Sequence, residues 1–140
     1  MTFSRPSFDE YYLAGAEWAS TRADCTRAQV GALLVSRDHR VTPGYNGAPP
    51  GIPGCATASN CPRGRLSPEE CARDSDYSNC IARHAEDNAI TRARPEDLPG
   101  ATLYVTRAPC PACWTLIVAA GISRVVTPEE DFDVHSHRDW

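Results

Sequence analysis

The sequence predicts an α/β domain in which a mixed β-sheet carries helices on both faces. Short apolar runs alternate with helical patterns in the second half of the chain, whereas two strand-like runs stand side by side near the start. Strands separated by helices tend to pair in parallel, and two strands joined by a tight turn pair antiparallel, so the sheet should be mixed. The length of 140 residues predicts a single domain, 1–140.

The first predicted elements are a helix and a hairpin. Apolar residues recur at helical spacing over 7–21, with acidic residues between them, which indicates an amphipathic helix. The run 30–35 is almost wholly apolar, as in a strand covered on both faces. A turn then leads to a second strand over 40–45. Because Pro43 cannot donate a hydrogen bond to a neighbouring strand, this second strand should lie at the sheet edge.

A long segment without clear periodicity follows, and we treat about 47–80 as a Cys-rich insert. It is rich in Gly and Pro, and four cysteines lie in it: Cys55, Cys61, Cys71 and Cys80. A loop of this length in a small domain is usually functional or held by additional bonds. Cysteines offer a means of holding it.

The second half of the chain predicts alternating helices and strands. We expect a helix over 81–94, a strand over 103–106, a helix over 111–121 and a strand over 124–127. The remaining segment, 128–140, is acidic and then His-rich, and we expect a partly ordered tail there.

Composition excludes several classes of function. The net charge of −4 gives no electrostatic footprint for nucleic acid. No apolar run approaches the roughly 20 residues that span a bilayer, and the first ten residues lack the apolar core of a signal peptide. The seven cysteines are an odd number and favour thiolate ligands over a disulfide framework. We therefore expect a cytoplasmic protein that binds neither nucleic acid nor membrane.

Four residues in two short motifs predict a catalytic zinc centre. His84 and Glu86 form a His-x-Glu motif, and Cys110 and Cys113 form a Pro-Cys-x-x-Cys motif. One His and two Cys supply three ligands of a tetrahedral zinc and leave the fourth position open for water, as in catalytic sites. This combination is the signature of zinc-dependent nucleobase deaminases.

Each motif alone has a more ordinary interpretation. A single His-x-Glu pair is common by chance, and Cys-x-x-Cys also occurs in structural zinc half-sites and in redox proteins. A non-catalytic zinc module is the alternative from a different class of function. Glu86 argues against it, because a structural site needs four ligands and no general acid or base.

The predicted helix starts give the four residues a chemical role. Helix N-termini carry unpaired N–H groups and positive partial charge, which lower thiol pKa values and favour thiolates. Glu86 is too close to His84 along the chain to be an obvious fourth ligand. It is better placed to move a proton from the attacking water to the ring nitrogen and then to the leaving ammonia.

Beyond these motifs, most of the chain from Thr21 to Val126 resembles the deoxycytidylate (dCMP) deaminase family, particularly its bacterial and phage members. The resemblance is carried by segments 25–32, 44–51 with Cys55, 84–90 and 100–106 leading into Pro-Cys-x-x-Cys. The Gly-Tyr-Asn-Gly stretch, 44–47, and the cysteine-bearing insert distinguish this family from plain cytidine deaminases.

The resemblance implies a three-layer α/β/α sandwich around a mixed, five-stranded sheet. It implies that Asn46 hydrogen-bonds the sugar of the substrate and that the backbone beside Ala85 and Cys110 holds the pyrimidine carbonyl. It places Arg27 near the 5′-phosphate, although a solvated loop cation remains the alternative. It also implies a homo-oligomer, a dimer or a hexamer.

Members of this family often carry a second, structural zinc that ties the insert to the body. Here Cys25, Cys55 and Cys80 match the expected ligands, with Cys61 preferred over Cys71 as the fourth. The alternative is a set of partly buried thiols without metal. Regulation by dCTP and dTTP with Mg²⁺ is associated in the family with the Gly-Tyr-Asn-Gly stretch.

The expected function is zinc-dependent hydrolysis of dCMP to dUMP and ammonia, which feeds dTMP synthesis. The alternative is the same chemistry on dCTP, a nucleoside, a modified dCMP or a nucleoside antibiotic.

Overall fold

The computed structural model describes residues 2–62, 67, 69 and 81–136. Its helices are α1 (Phe8–Ser20), the short α2 (Cys55–Ala58), α3 (Ala85–Arg92) and α4 (Pro111–Ala119), with a 3₁₀ turn at Pro95–Asp97. Its strands are β1 (Gly31–Val35), β2 (Val41–Tyr45), β3 (Thr102–Val105), β4 (Arg124–Val126) and β5 (Asp131–Asp133).

The five strands form one mixed sheet in the order β2-β1-β3-β4-β5. β3 and β4 pair in parallel, and the other three neighbouring pairs are antiparallel. The α/β class and the hairpin are therefore confirmed. Pro43 lies on β2, at the edge of the sheet, as its missing N–H requires.

Helices cover both faces of this sheet, and β1 shows why its sequence is continuously apolar. Leu33 and Val35 pack with Tyr12, Ala16 and other residues on the α1 side. Ala32 and Leu34 belong to the larger core that includes residues of α3 and α4. All five residues of β1 are buried, so the three-layer arrangement is confirmed.

Close contact between α3 and β2 depends on Gly44. A Cβ atom added at Gly44 would collide with the backbone of Ala85 and Ala89 in α3. Asn88 of α3 also donates from its side-chain amide to the Tyr45 carbonyl of β2, at 2.7 Å. These contacts fix the start of α3 against the sheet.

The third helix is shorter than predicted. The sequence predicted a helix over 81–94, whereas α3 begins at Ala85 and ends at Arg92. Arg83 is extended because it exchanges two backbone hydrogen bonds with Gly47, at 2.7 and 3.1 Å. This bridge joins the two ends of the Cys-rich insert, and the chain becomes helical only after His84.

The segment predicted as a partly ordered tail contains the fifth strand. β5 pairs with β4 in the register Val125 to Phe132. The Phe132 ring packs edge-on against Trp114 of α4, with centroids 5.2 Å apart, and Arg124 pairs with Asp131 at 2.7 Å. Backbone pairing with β4, the aromatic contact, the ion pair and the buried Val134 side chain together order a segment that has little apolar sequence. His137 lies outside the described residues.

Candidate active site: a metal centre at two helix starts

Two of the predicted ligands occupy the N-cap positions of α3 and α4. His84 precedes α3 and Cys110 precedes α4, each in extended backbone with ψ of 156° and 167°. Cys113 lies in the first turn of α4, after Pro111, whose missing N–H is harmless at a helix start. Neither His84 nor Cys110 caps its helix with a side-chain hydrogen bond. Both side chains are instead directed toward a common point.

The three ligating atoms lie at distances that suit a tetrahedral zinc. His84 Nδ1 is 3.2 Å from Cys113 Sγ and 3.5 Å from Cys110 Sγ. Zinc bonds of about 2.0–2.1 Å to nitrogen and 2.3 Å to sulfur would place N and S roughly 3.6 Å apart in a tetrahedron. Across the described ranges this is the only set of three His, Cys, Asp or Glu ligand atoms that lie within 4.8 Å of one another. The donor set therefore fits zinc with one position open.

Glu86 lies in the first turn of α3, directly beside this set. Its side chain is 4% exposed and hydrogen-bonds with Cys113. Burial raises the pKa of the Glu86 carboxyl, and the helix backbone and His84 only partly offset this. A carboxyl with a raised pKa can both accept and return a proton near neutral pH, as a general acid and base must.

The thiol of Cys113 corrects one expectation. The sequence suggested that the helix start would lower its pKa, but burial raises the pKa of Cys113, and the Glu86 carboxylate raises it further. A bound cation would act in the opposite direction, because a coordinating thiol loses its proton.

A cavity of about 460 Å³ opens in front of this centre. It brings together most of the predicted site residues. Its lining consists of Cys25, Arg27, Ala28, Val30, Asn46, Cys55, Cys61, Ala82, His84, Ala85, Glu86, Arg107, Ala108 and Cys110. Cys113 is buried behind this surface.

Asn46 is already engaged by the protein. Its Oδ1 accepts from the Val30 N–H at 2.8 Å, and its Nδ2 donates to the Ala28 carbonyl at 2.9 Å. The side chain therefore holds the loop before β1 in place. Contact with the sugar of a substrate stays a prediction.

Arg107 is a cavity residue that sequence reasoning missed. It is exposed and lies in the connection from β3 to α4, three residues before Cys110. Neither Arg107 nor Arg27 has an ion-pair or hydrogen-bond partner for its guanidinium within the part of the chain described. The sequence feature that could have identified Arg107 is its position as a cation just before the Cys-x-x-Cys motif.

Three of the five cysteines considered for a second zinc lie among the described residues. Cys25, Cys55 and Cys61 all line the cavity, and Cys55 is 1% exposed. Cys71 and Cys80 lie outside the described residues. The insert thus contributes to the wall of the active-site cavity.

The family model of the cytidine and deoxycytidylate deaminase zinc-binding region matches residues 6–129. The chain belongs to this family of zinc-dependent deaminases.

Within this family, the chain is similar to deoxycytidylate deaminases. A deoxycytidylate deaminase of Mycobacterium phage D29 is 54% identical over 132 residues, which cover 91% of this chain and 98% of that protein. The deoxycytidylate deaminase of Schizosaccharomyces pombe is 35% identical over 134 residues, but the match covers only 40% of that protein.

Solved structures agree with the fold. The dCMP deaminase of cyanophage S-TIM5, in complex with dCMP and dUMP, aligns with a TM-score of 0.64 at 30% identity, covering 89% of this chain and 83% of that one. Cytidine deaminase of Mycobacterium tuberculosis aligns with a TM-score of 0.58 at 15% identity, covering 92% of each chain. The second likeness concerns the fold alone. No helix in the described part of the chain is long and apolar enough to cross a membrane.

Proposed function

We propose that this protein catalyses the zinc-dependent hydrolysis of dCMP to dUMP and ammonia. The observation that carries the proposal is the convergence of His84, Cys110 and Cys113 beside a buried Glu86 at the floor of a nucleotide-sized cavity. The likeness to the phage deoxycytidylate deaminase over nearly its whole length supports the choice of substrate.

The chemistry follows from the donor set and the carboxylate. His84, Cys110 and Cys113 would hold the zinc, which would supply a water whose pKa is lowered to about 7. Glu86 accepts one proton of the attacking water as its oxygen bonds to the amino-bearing carbon of cytosine, and it passes that proton to the ring nitrogen. Glu86 then takes the proton of the newly added hydroxyl and delivers it to the amino group. The carbon–nitrogen bond breaks, ammonia leaves and the carbonyl of uracil forms.

Two arginines support a phosphorylated substrate. Among the described residues, Arg27 and Arg107 are the Lys or Arg side chains that line the cavity, and neither guanidinium has a described hydrogen-bond or ion-pair partner. A 5′-phosphate would accept charge-assisted hydrogen bonds from such groups. The backbone at Ala85 and the amide of Asn46 would contact the base and the sugar.

Further features belong to the same proposal. A second zinc would be held by Cys25, Cys55 and Cys80 with Cys61 or Cys71, and Mg²⁺ would accompany a regulatory nucleotide. Family likeness also suggests a homo-oligomer and a cytoplasmic location. Zinc content of the purified protein and light scattering at micromolar concentration test the metal and the assembly.

A substrate panel tests the function directly. Ammonia release is measured from dCMP, CMP, dCTP, deoxycytidine and 5-substituted dCMP with the zinc-loaded protein. A clear preference for dCMP is expected. Preference for the nucleoside or the triphosphate would contradict the substrate assignment while leaving the zinc chemistry intact. Absence of turnover with every compound would contradict the proposal as a whole.

A further inference from the structure

The connection between α1 and β1 is joined to the Cys-rich insert through the carboxylate of Asp24. Asp24 Oδ1 accepts a hydrogen bond from the backbone N–H of Thr57 at 2.8 Å, and Oδ2 accepts one from the Thr57 hydroxyl at 2.6 Å. The two residues are 33 positions apart in sequence. Thr57 belongs to α2, whose N-cap residue Gly54 makes no side-chain cap of its own. Asp24 therefore supplies this helix start with an acceptor from a distant segment.

The local backbone is shaped to admit this carboxylate. A Cβ atom added at Gly54 would collide with the Asp24 side chain, so a larger residue there would displace it. Hydrogen bonds from Thr57, and further ones from the N–H groups of Gly54 and Ala56, hold the pKa of Asp24 below its usual range. Asp24 is ionised at neutral pH, and its bonds to Thr57 are charge-assisted.

The two segments that Asp24 joins are both walls of the active-site cavity. Cys55 lies two residues before Thr57 and lines the cavity, as do Cys25 and Arg27, which follow Asp24 closely. Asp24 itself does not line the cavity. Any influence on the substrate must therefore pass through its neighbours.

A further bond ties the same connection to the sheet. The backbone N–H of Asp24 donates to the Asn46 carbonyl at 3.0 Å, and the Asn46 side chain holds the loop at Ala28 and Val30. The backbone of Asp24 is thus bonded to Asn46, next to the sheet, and its carboxylate is bonded to Thr57 in the insert. The zinc ligands, by contrast, are carried by α3 and α4.

We propose that Asp24 is a positioning residue that fixes the Cys55 wall of the cavity against the Cys25 and Arg27 wall, and so sets the affinity for substrate. The proposal rests on the proposed function, because the cavity it shapes is the deamination site. Loss of Asp24 should loosen substrate contacts while the geometry at His84 and Glu86 persists. Such a change raises KM and leaves kcat nearly unchanged.

The test compares Asp24→Ala, Asp24→Asn and a matched control. Asp24→Ala is expected to raise KM for dCMP about tenfold, the size of a lost charge-assisted bond. Asp24→Asn keeps one acceptor for the Thr57 N–H and should give an intermediate KM. The control Asp38→Ala removes a comparable carboxylate–hydroxyl bond to Ser36, at 2.5 Å in the β1–β2 turn, and should leave KM unchanged.

A double-mutant cycle with Thr57→Val separates positioning from general stability. If the pair acts as one unit, the double variant should show the KM of Asp24→Ala alone. Unchanged KM in Asp24→Ala, or a fall in kcat with constant KM, would overturn the proposal. Should Asp24→Ala fail to fold, Asp24→Asn and Thr57→Val are compared in the same assay, and unchanged KM in both would overturn it.

Failure of the proposed function would be distinct from failure of this inference. If the parent protein turned over another cytosine compound, KM for that compound would be compared across the same variants. If it turned over none, calorimetric titration with dCMP would replace kinetics. About tenfold weaker binding by Asp24→Ala is then expected, and equal binding, or no binding by the parent, would overturn the inference.

Discussion

The helices on the two faces of the sheet begin in different ways, and this difference separates a stabilising region from a reactive one. α1 begins with a capping box, in which Ser7 and Glu10 exchange two hydrogen bonds of 3.1 Å. α3 and α4 begin at His84 and Cys110, which make no side-chain caps. A side-chain cap contributes about 1 kcal/mol to stability. At α3 and α4 this contribution is forgone, and the two side chains are available for a metal.

Charged groups follow the same division. On the α1 side, Asp9 accepts hydrogen bonds from Arg124 at 2.5 and 3.0 Å and from the Tyr104 hydroxyl at 2.7 Å. On the cavity side, Glu86 is buried with a raised pKa, and Arg107 has no hydrogen-bond or ion-pair partner among the described residues. On the α1 side the helix start is capped and the charged groups are paired, which stabilises the fold. Around the cavity the helix starts have no side-chain caps and a carboxyl group is buried, as is common at functional sites.

The largest expected effect comes from removing a zinc ligand at the start of α4. Cys113→Ser replaces a thiolate with a weak ligand, and the rate of deamination should fall more than about 100-fold. Mutation of residues that only hydrogen-bond to metal ligands already lowers metal affinity or activity by about 10- to 100-fold. Zinc content should fall together with ammonia release. The control Thr115→Ala, on the exposed part of α4, should retain both. Full activity in Cys113→Ser without zinc would contradict the assigned ligand set.

A smaller effect is expected from the two arginines of the cavity. Arg27→Gln and Arg107→Gln should each lower kcat/KM for dCMP by about 10- to 100-fold, the size of a charge-assisted bond. The value for deoxycytidine, which lacks a phosphate, should stay constant. Arg5→Gln, near the start of the chain, serves as a control for net charge. Equal losses of kcat/KM with dCMP and deoxycytidine would show that these arginines do not bind the phosphate.

Removal of the capping box of α1 should lower stability and leave activity unchanged. Ser7→Ala breaks the capping box and should lower the free energy of unfolding by about 1 kcal/mol. Denaturant unfolding measures this loss, and kcat/KM for dCMP should not change. A change in activity without a change in stability would contradict the proposed division between the two regions.

The smallest expected effect concerns pH. Hydrogen bonding from Arg124 lowers the pKa of Asp9 below its usual value of 3.8. The ionised form is therefore favoured in the folded state, and its contribution is present above about pH 4 and lost as the pH falls through the lowered pKa. Because this pair is partly exposed, the contribution should be below about 1 kcal/mol. The difference in unfolding free energy between the parent and Asp9→Asn should shrink below pH 4, and a constant difference would contradict this assignment.

Short-range features of this protein were predictable from its sequence, and long-range ones were not. His84, Glu86, Cys110 and Cys113 could be found because each motif lies within one turn of a helix start. The contact between Asp24 and Thr57 could not be found, because nothing in the local sequence pairs residues so far apart.

The same distinction explains the errors in the predicted elements. The family resemblance implied a fifth strand, but the residue pattern did not locate β5, because its order depends on Arg124 and Trp114, which lie in other elements. The start of α3 was placed too early because the backbone bridge between Gly47 and Arg83 is a tertiary contact that competes with the helix. Burial likewise reversed the expected pKa shift of Cys113, since burial cannot be read from helix position alone.

We infer that Glu86 transfers protons at a zinc held by His84, Cys110 and Cys113. The most direct test is ammonia release from dCMP by zinc-loaded Glu86→Gln, with zinc content and thermal unfolding measured on the same sample. We expect the rate to fall by about 10²- to 10⁴-fold, the usual contribution of general acid–base catalysis, while zinc and fold are retained. Parent-like turnover in this variant would contradict the account.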